Sequence, residues 1–467
     1  MLRLIINIYF INLLLAFFLI AQISFSDEKT QIKQYETGGI YDGEFLNGKQ
    51  HGKGKYSLPN GYYYEGEWKE GKIEGLGVAK YPDGSSYEGN FVDGKHSGQG
   101  KLIFPDGTFY EGNWLQGKFN GKGILKYSNG ISLEGNFLDG QLNGKGIQSN
   151  SNGYTYNGDW KLGKKSGIAV IKYDGGGMYE GEVLNGVRQG SGKLTLLDGS
   201  VLEGFFNDGT ISGKGSILYS NGDNYVGELL NNNIEGQGTK KFASGSIYEG
   251  KFKNNVFNGY GLYKTNDGYE AEGNWVNGQI QGKGKITYPD SSVYNGELID
   301  GVPNGTGTIS YEDGSSYSGQ WLNGKIDGYG TAKYSNGQIY TGNFKNGKNH
   351  GKGKMIFGDG YSYNGLWSNG LFDGKGIAEY SDGSIYDGNF KMGKRHGFGI
   401  IKMSDGSIFE GNFNNGQING EGVAIYPNGD RYEGFFKNGK REGSGKITYK
   451  SGVTYEGQWE NNNRVSD

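Results

Sequence analysis

The chain has 467 residues, among them 92 glycines, 6 prolines and no cysteine, and its 47 basic and 50 acidic residues leave a formal charge of −3. Without cysteine, disulfides, thiolate metal sites and cysteine nucleophiles are excluded, and finely interspersed charge excludes the basic stripe of a nucleic-acid binder. Abundant glycine without proline fits neither collagen nor a proline-rich linker, and 14% aromatic residues is too many for a disordered low-complexity chain.

The first 26 residues are unlike the rest. Arg3 supplies one positive charge, residues 4 to 25 carry no charged side chain, and Ser24 and Ser26 put small residues at −3 and −1 of a cut before Asp27. The pattern predicts a signal peptide over 1–26, cleaved between Ser26 and Asp27, and export to the periplasm, the cell envelope or the medium. The alternative is an uncleaved membrane anchor over residues 4–21, because about 18 apolar residues span a bilayer.

From there on one pattern governs. Tyr41-Asp42-Gly43-Glu44-Phe45 returns every 23 residues as Tyr64-Glu65-Gly66-Glu67-Trp68 and Tyr87-Glu88-Gly89-Asn90-Phe91, and is still in phase at Tyr455-Glu456-Gly457-Gln458-Trp459. The phase predicts half a repeat over 27–40, an array of eighteen full repeats with a closing half over 41–459, and a polar tail over 460–467. A fixed period of this length signals an array in which each unit contacts only its neighbours.

Each repeat holds two turn dipeptides, such as Asp93-Gly94 and Asp106-Gly107. Asn-Gly and Asp-Gly favour two-residue type I′ hairpins, which need positive φ at both central residues. Where the first turn lacks glycine the substitutes are Asn232, Asn255 and Asn462, and asparagine is the non-glycine residue that best tolerates the left-handed region. Between turns run two short strands whose side chains alternate in direction. One face carries Tyr87, Gly89 and Phe91 with Gly98, Gly100, Leu102 and Phe104; the other carries Glu88, Asn90, Gln99 and Lys101. Glycine weakens a strand unless a neighbour needs the room, so the expectation is a ring lying flat over each glycine. The apolar site at Leu102 is filled elsewhere by Leu125, Ile171, Leu194, Ile217, Ile286, Ile309, Met355 and Ile447, with Gln148 and Lys240 as exceptions. The fold class that follows is all-β: an elongated, twisted, single-layer antiparallel sheet of successive β-hairpins that advances about 10 Å per repeat.

Tyr110, Gly112, Trp114, Gly117, Gly121, Gly123, Tyr127 and Gly130 resemble, position by position, the MORN (membrane occupation and recognition nexus) repeat, and the resemblance runs over residues 41 to 459. It implies a solenoid of hairpins, and a role in binding phospholipid headgroups or in protein contacts and self-assembly. Leu133, Leu202 and Ala271 depart from the opening tyrosine, Ala169 from a glycine and Ser291 from a turn glycine; an array absorbs changes of this size.

No chemistry converges. His51, His350 and His396 share one repeat position and His96 sits one residue earlier, which reads as a polar turn edge and not a metal ligand. Gly52-Lys53-Gly54 lacks the helix that a phosphate cradle requires. Paired carboxylates such as Glu65 and Glu67 lie on an open face that gives no reason for a raised pKa. The Glu65, Glu88, Glu111, Glu134 and the Lys49, Lys72, Lys95, Lys118 columns read as a solvated face with weak ion pairs, while Tyr62, Tyr63 and Phe109, outside the standard positions, are candidate contact residues. The sequence thus predicts a non-enzymatic exported repeat protein with no cofactor and no metal. It would act as a protein-binding or assembly scaffold at the cell envelope, through an unknown protein partner or self-association. The alternatives are a peripheral protein on phospholipid headgroups and a cell-wall glycan binder; nucleic acid is excluded.

Overall fold

The computed structural model describes residues 30–465; the segment 1–26 with Ser26 and Asp27, and the anchor alternative over 4–21, lie outside them. The described residues contain no helix. They fall into two units, the first ending at Leu197 and the second beginning at Asp198. In the first, fifteen strands from Gln31–Gln34 to Val187–Thr195 pair antiparallel in chain order; in the second, twenty-four strands from Val201–Asn207 to Asn463–Arg464 do the same. No pairing among the described residues closes either meander into a barrel.

The two turns of a repeat are built differently. The strands Ser86–Val92 and Lys95–Ile103 are joined by Asp93 and Gly94 at φ 49° and 74°, the expected type I′ geometry. Asn231 and Asn232, Asn254 and Asn255, and Asn461 and Asn462 all take positive φ as well. The Gly94 N–H donates to the Ile73 carbonyl of the preceding repeat at 2.9 Å, and in the second unit Gly393 donates in the same way to Phe372, so each turn is tied to the hairpin before it. The second turn corrects the sequence reading. At Tyr81-Pro82-Asp83-Gly84-Ser85 only the glycine has positive φ, at 90°, and Gly84 N–H bonds Tyr81 O while Tyr81 N–H bonds Ser85 O. This is a three-residue loop, a type I turn closed by a left-handed glycine. Asp83 is there for its side chain, which accepts from Ser85 N at 2.9 Å and from Ser85 Oγ at 2.6 Å, the usual Asx closure.

The strands bear out the packing of ring on glycine. Gly89 stands opposite Gly100, and a Cβ added to Gly100 would lie 2.1 Å from Tyr87 Oη. The Tyr87 ring therefore occupies the space of two missing side chains, and its hydroxyl donates to Asn90 O at 3.0 Å. Gly98 is a correction. The pairing passes from Gly89↔Gly100 to Phe91↔His96, so extra residues bulge out around Gly98, at φ 61°. A Cβ on Gly98 would point to the opposite face and meet Asn90; this glycine supplies backbone conformation, not room for a ring. Antiparallel pairing continues through the departures at Leu133, Ala169, Leu202, Ala271 and Ser291.

Both described ends carry paired strands. Gln31–Gln34 pairs with Ile40–Leu46. Within 460–467, read from sequence as a polar tail, Asn461 and Asn462 form the turn, and Asn463–Arg464 pair back on Trp459 and Glu460.

Candidate interaction surface

Each unit has a ring face and an open face, and outside the bulges strand alternation assigns side chains to one or the other. On the ring face of the first unit Tyr41, Trp68, Tyr64, Phe91, Tyr87, Trp114, Tyr110 and Phe137 form one chain of edge-to-face contacts, with centroids 5.0 to 5.5 Å apart. In the second unit a similar chain runs from Tyr340 through Trp367, Tyr363, Phe390, Tyr386, Phe413, Phe409, Phe436 and Tyr432 to Trp459. Each such pair contributes about 0.5–1.5 kcal/mol beyond its buried area. The tyrosines are fully buried, and burial pushes the Tyr110 and Tyr386 phenols up to about 12.

The residues singled out from sequence occupy definite places. Tyr110 lies over Gly112 and Gly123, with a Cβ on Gly123 only 2.3 Å from its Oη. Trp114 Nε1 donates to Gly100 O of the preceding repeat at 3.0 Å. Gly117 holds the first turn at φ 80° and Gly121 the bulge at 86°; Tyr127 and Gly130, the latter at 88°, close the second turn. Ser26 and Asp27 lie outside the described residues. Tyr62 is half-buried, with its ring 6.4 Å from Tyr56 and 5.8 Å from Tyr81, and Phe109 lies under Lys101 Nζ at 4.7 Å. Both rings are half-buried. Tyr63 bonds Glu65 at 2.5 Å.

One position escaped the sequence reading. Two residues before the bulge glycine, Phe119 stacks on Tyr110 at 3.7 Å and 11°, Phe257 on Tyr248 at 3.7 Å and Phe372 on Tyr363 at 3.9 Å. His96 fills the same place, stacked 3.6 Å from Tyr87 with Nε2 2.6 Å from Tyr81 Oη. It is no turn-edge residue: burial lowers its pKa to about 4, so it is neutral. His51 and His350 lie within their strands, directly before the bulge glycines Gly52 and Gly351, each with a buried Nδ1 that has no hydrogen-bond partner among the described residues. At the stacking position Lys165, Arg395 and Arg441 lie over tyrosine rings instead, and burial lowers the Lys165 pKa. The signal was available, since this column is mostly Phe, Ile or Leu.

The open face is built on the same backbone and differs from repeat to repeat. Its ion pairs link the glutamate column to strand lysines, Lys55–Glu65 at 3.3 Å and Lys101–Glu111 at 3.0 Å, while Lys72 and Lys118 of the lysine column reach Asp93 and Asp139 of the next turn. All are exposed and worth little in stability. Shallow clefts also open here, one lined by Tyr260, Glu272, Lys283, Lys285 and Glu297 in the second unit. Among the described residues no three His, Asp or Glu side chains converge in a way that would hold a metal ion.

The geometry agrees with comparisons to known proteins. The sequence profile of the MORN repeat matches nineteen successive segments, from residues 41–61 through 110–132 and 386–408 to 455–465. No curated protein matches the chain. Among solved structures, the TCP domain of Drosophila melanogaster SAS-4 in complex with a proline-rich motif of Ana2 is 18% identical, over 33% of this chain and 85% of that one, with a TM-score of 0.23. The TCP10 domain of Danio rerio CPAP in complex with a STIL peptide is 10% identical over 58% and 97%, with a TM-score of 0.18. Virginiamycin B lyase from Staphylococcus aureus is 9% identical over 64% and 98%, with a TM-score of 0.12. At these scores the structural likenesses carry no argument.

Proposed function

Because the chain belongs to the MORN repeat family, a family of repeat proteins that mediate protein or membrane interactions, we propose that it is a non-enzymatic scaffold, exported to the cell envelope, that binds protein partners along its open face. The observation that carries this reading is the contrast between faces. The ring face is filled by its own buried aromatics, whereas the open face leaves side chains such as Leu76, Phe205, Tyr260, Tyr329 and Phe398 more than half exposed. Large apolar side chains kept in water on an ordered sheet are what a protein partner covers.

Affinity capture with residues 27–467 from an envelope fraction, beside light scattering of the purified chain, tests the reading. A stoichiometric protein partner is the expected result. A monomer that captures no protein, or one that pellets with anionic vesicles at low salt and captures only lipid, contradicts it.

A further inference from the structure

The cross-strand register of the second unit places one row of side chains along the open face, one from each strand. From Asn295 the row runs Thr308, Ser318, Thr331, Thr341, Lys354 and Asn364, then Ile377, Asp387, Ile400, Glu410, Val423 and Glu433. The first stretch is mainly hydroxyl and amide. The second alternates aliphatic with acidic. Ile377 and Ile400 are each 40% exposed, and Phe398, beside Ile400 on the same strand and face, is 52% exposed.

The carboxylates of this second stretch have their charge to spare. Asp387 stands between Ile377 and Ile400, and Glu410 between Ile400 and Val423. Among the described residues neither makes an ion pair; the next acidic side chain of the row, Glu433, pairs with Arg431 and stands opposite Lys446. Lys375 and Lys402 share the face but stand two residues away from the row along their strands, close enough to soften the charge and not to neutralise it. Apolar side chains in register with unpaired carboxylates fit a partner that offers apolar and basic groups together.

Spacing specifies the partner further. A segment lying on the face of a sheet, and not along its edge, gains no backbone hydrogen bonds from it, and a helix satisfies its own. The carboxylates repeat every two strands, about 9.6 Å, and seven residues of helix rise about 10.5 Å. Strand twist of roughly 20° per step turns the face away from a straight rod within a few strands. The five strands from Ile377 to Val423 span about 19 Å, or roughly 13 residues of helix.

Resting on the scaffold reading above, we propose that the open face between Ile377 and Val423 is a docking site for a basic amphipathic helix of a partner protein, about 13 residues long. Basic side chains seven residues apart would meet Asp387 and Glu410, and an apolar stripe would cover Ile377, Phe398 and Ile400. The hydroxyl stretch from Thr308 to Thr341 carries the exposed Tyr329 beside it but no carboxylate and no aliphatic side chain in the row itself, and does not bind such a helix.

The test uses the full array, residues 27–467, and a fluorescent synthetic leucine–lysine helix with lysines seven residues apart, read by anisotropy. Asp387→Lys with Glu410→Lys is expected to weaken binding at least tenfold, Ser318→Lys with Thr341→Lys less than twofold, and a glutamate-for-lysine peptide is expected not to bind. Unchanged circular dichroism and melting confirm that the charged variants fold. No binding of the lysine peptide, equal binding by both double variants, or a change of oligomeric state with no peptide binding, which would mark a contact between copies of this chain, overturns the proposal. Envelope capture separates the two levels: a partner captured equally by wild type and D387K/E410K overturns this site and leaves the scaffold reading standing, whereas no partner for either overturns the scaffold reading.

Discussion

The ring face and the open face share every strand and differ in how freely their residues vary. On the ring face Tyr recurs at 64, 87, 110, 340, 363 and 386, buried to the same degree each time, because a ring over paired glycines admits few substitutes. On the open face the residue that follows the bulge glycine is Lys283, Thr306, Tyr329, Lys352, Lys375, Phe398 and then Glu421 in successive repeats. The fold uses the first face and places almost no demand on the second. Variation there is expected to change stability little.

Tyr386→Ala breaks the comparison most sharply. Emptying the space over Gly388 and Gly399 is expected to cost about 3–5 kcal/mol, seen as a lower urea midpoint and faster amide exchange across Ile385–Lys402. Phe398→Ala, on the other face of the adjacent strand, is expected to stay within about 0.5 kcal/mol; comparable losses for the two would erase the distinction. Gly399→Ala comes next, at about 1–3 kcal/mol, since its Cβ would lie 2.4 Å from Tyr386 Oη. Gly273→Ala, in the repeat where Ala271 replaces the ring and the nearest atom is 3.2 Å away, is expected to lose less in the same melt.

Gly397→Ala tests backbone and not packing. At φ 68° it is expected to cost about 1 kcal/mol of conformational strain, without the repacking signature of Gly399→Ala in tyrosine fluorescence. An effect of similar size, dependent on pH, belongs to His96. Its folded pKa lies below the unfolded value of about 6.5, so the unfolded chain binds more protons between pH 6.5 and about 4. Stability is therefore full above pH 6.5, falls as the pH drops toward 4, and is flat below. The loss is on the order of 1 kcal/mol once solvent screening is allowed for. His96→Phe, with Phe119 as precedent, is expected to remove this slope in melts run from pH 7 to 4.

The period, the meander of hairpins, the ring on glycine and the left-handed asparagines were legible because each rests on one residue type at one position. What misled was identity without register. Asp93-Gly94 and Asp83-Gly84 read alike, yet the first spans a two-residue turn and the second closes a three-residue loop, and only the strand ends tell them apart. A strand begun at Gly98 leaves His96 in the turn; the strand begins at Lys95, and the bulge around Gly98 turns that glycine to the opposite face. The acidic–aliphatic row was invisible for a related reason. Ile377, Asp387, Ile400 and Glu410 are 10 to 13 residues apart in sequence, and only the pairing puts them side by side.

Site-specific photocrosslinking tests the division of labour most directly. With p-benzoylphenylalanine at position 398 on the open face, or at position 372 on the ring face, and an envelope fraction as the source of partners, the account predicts a discrete crosslinked protein from position 398 and none from 372. A partner crosslinked from 372 and not from 398 would contradict it.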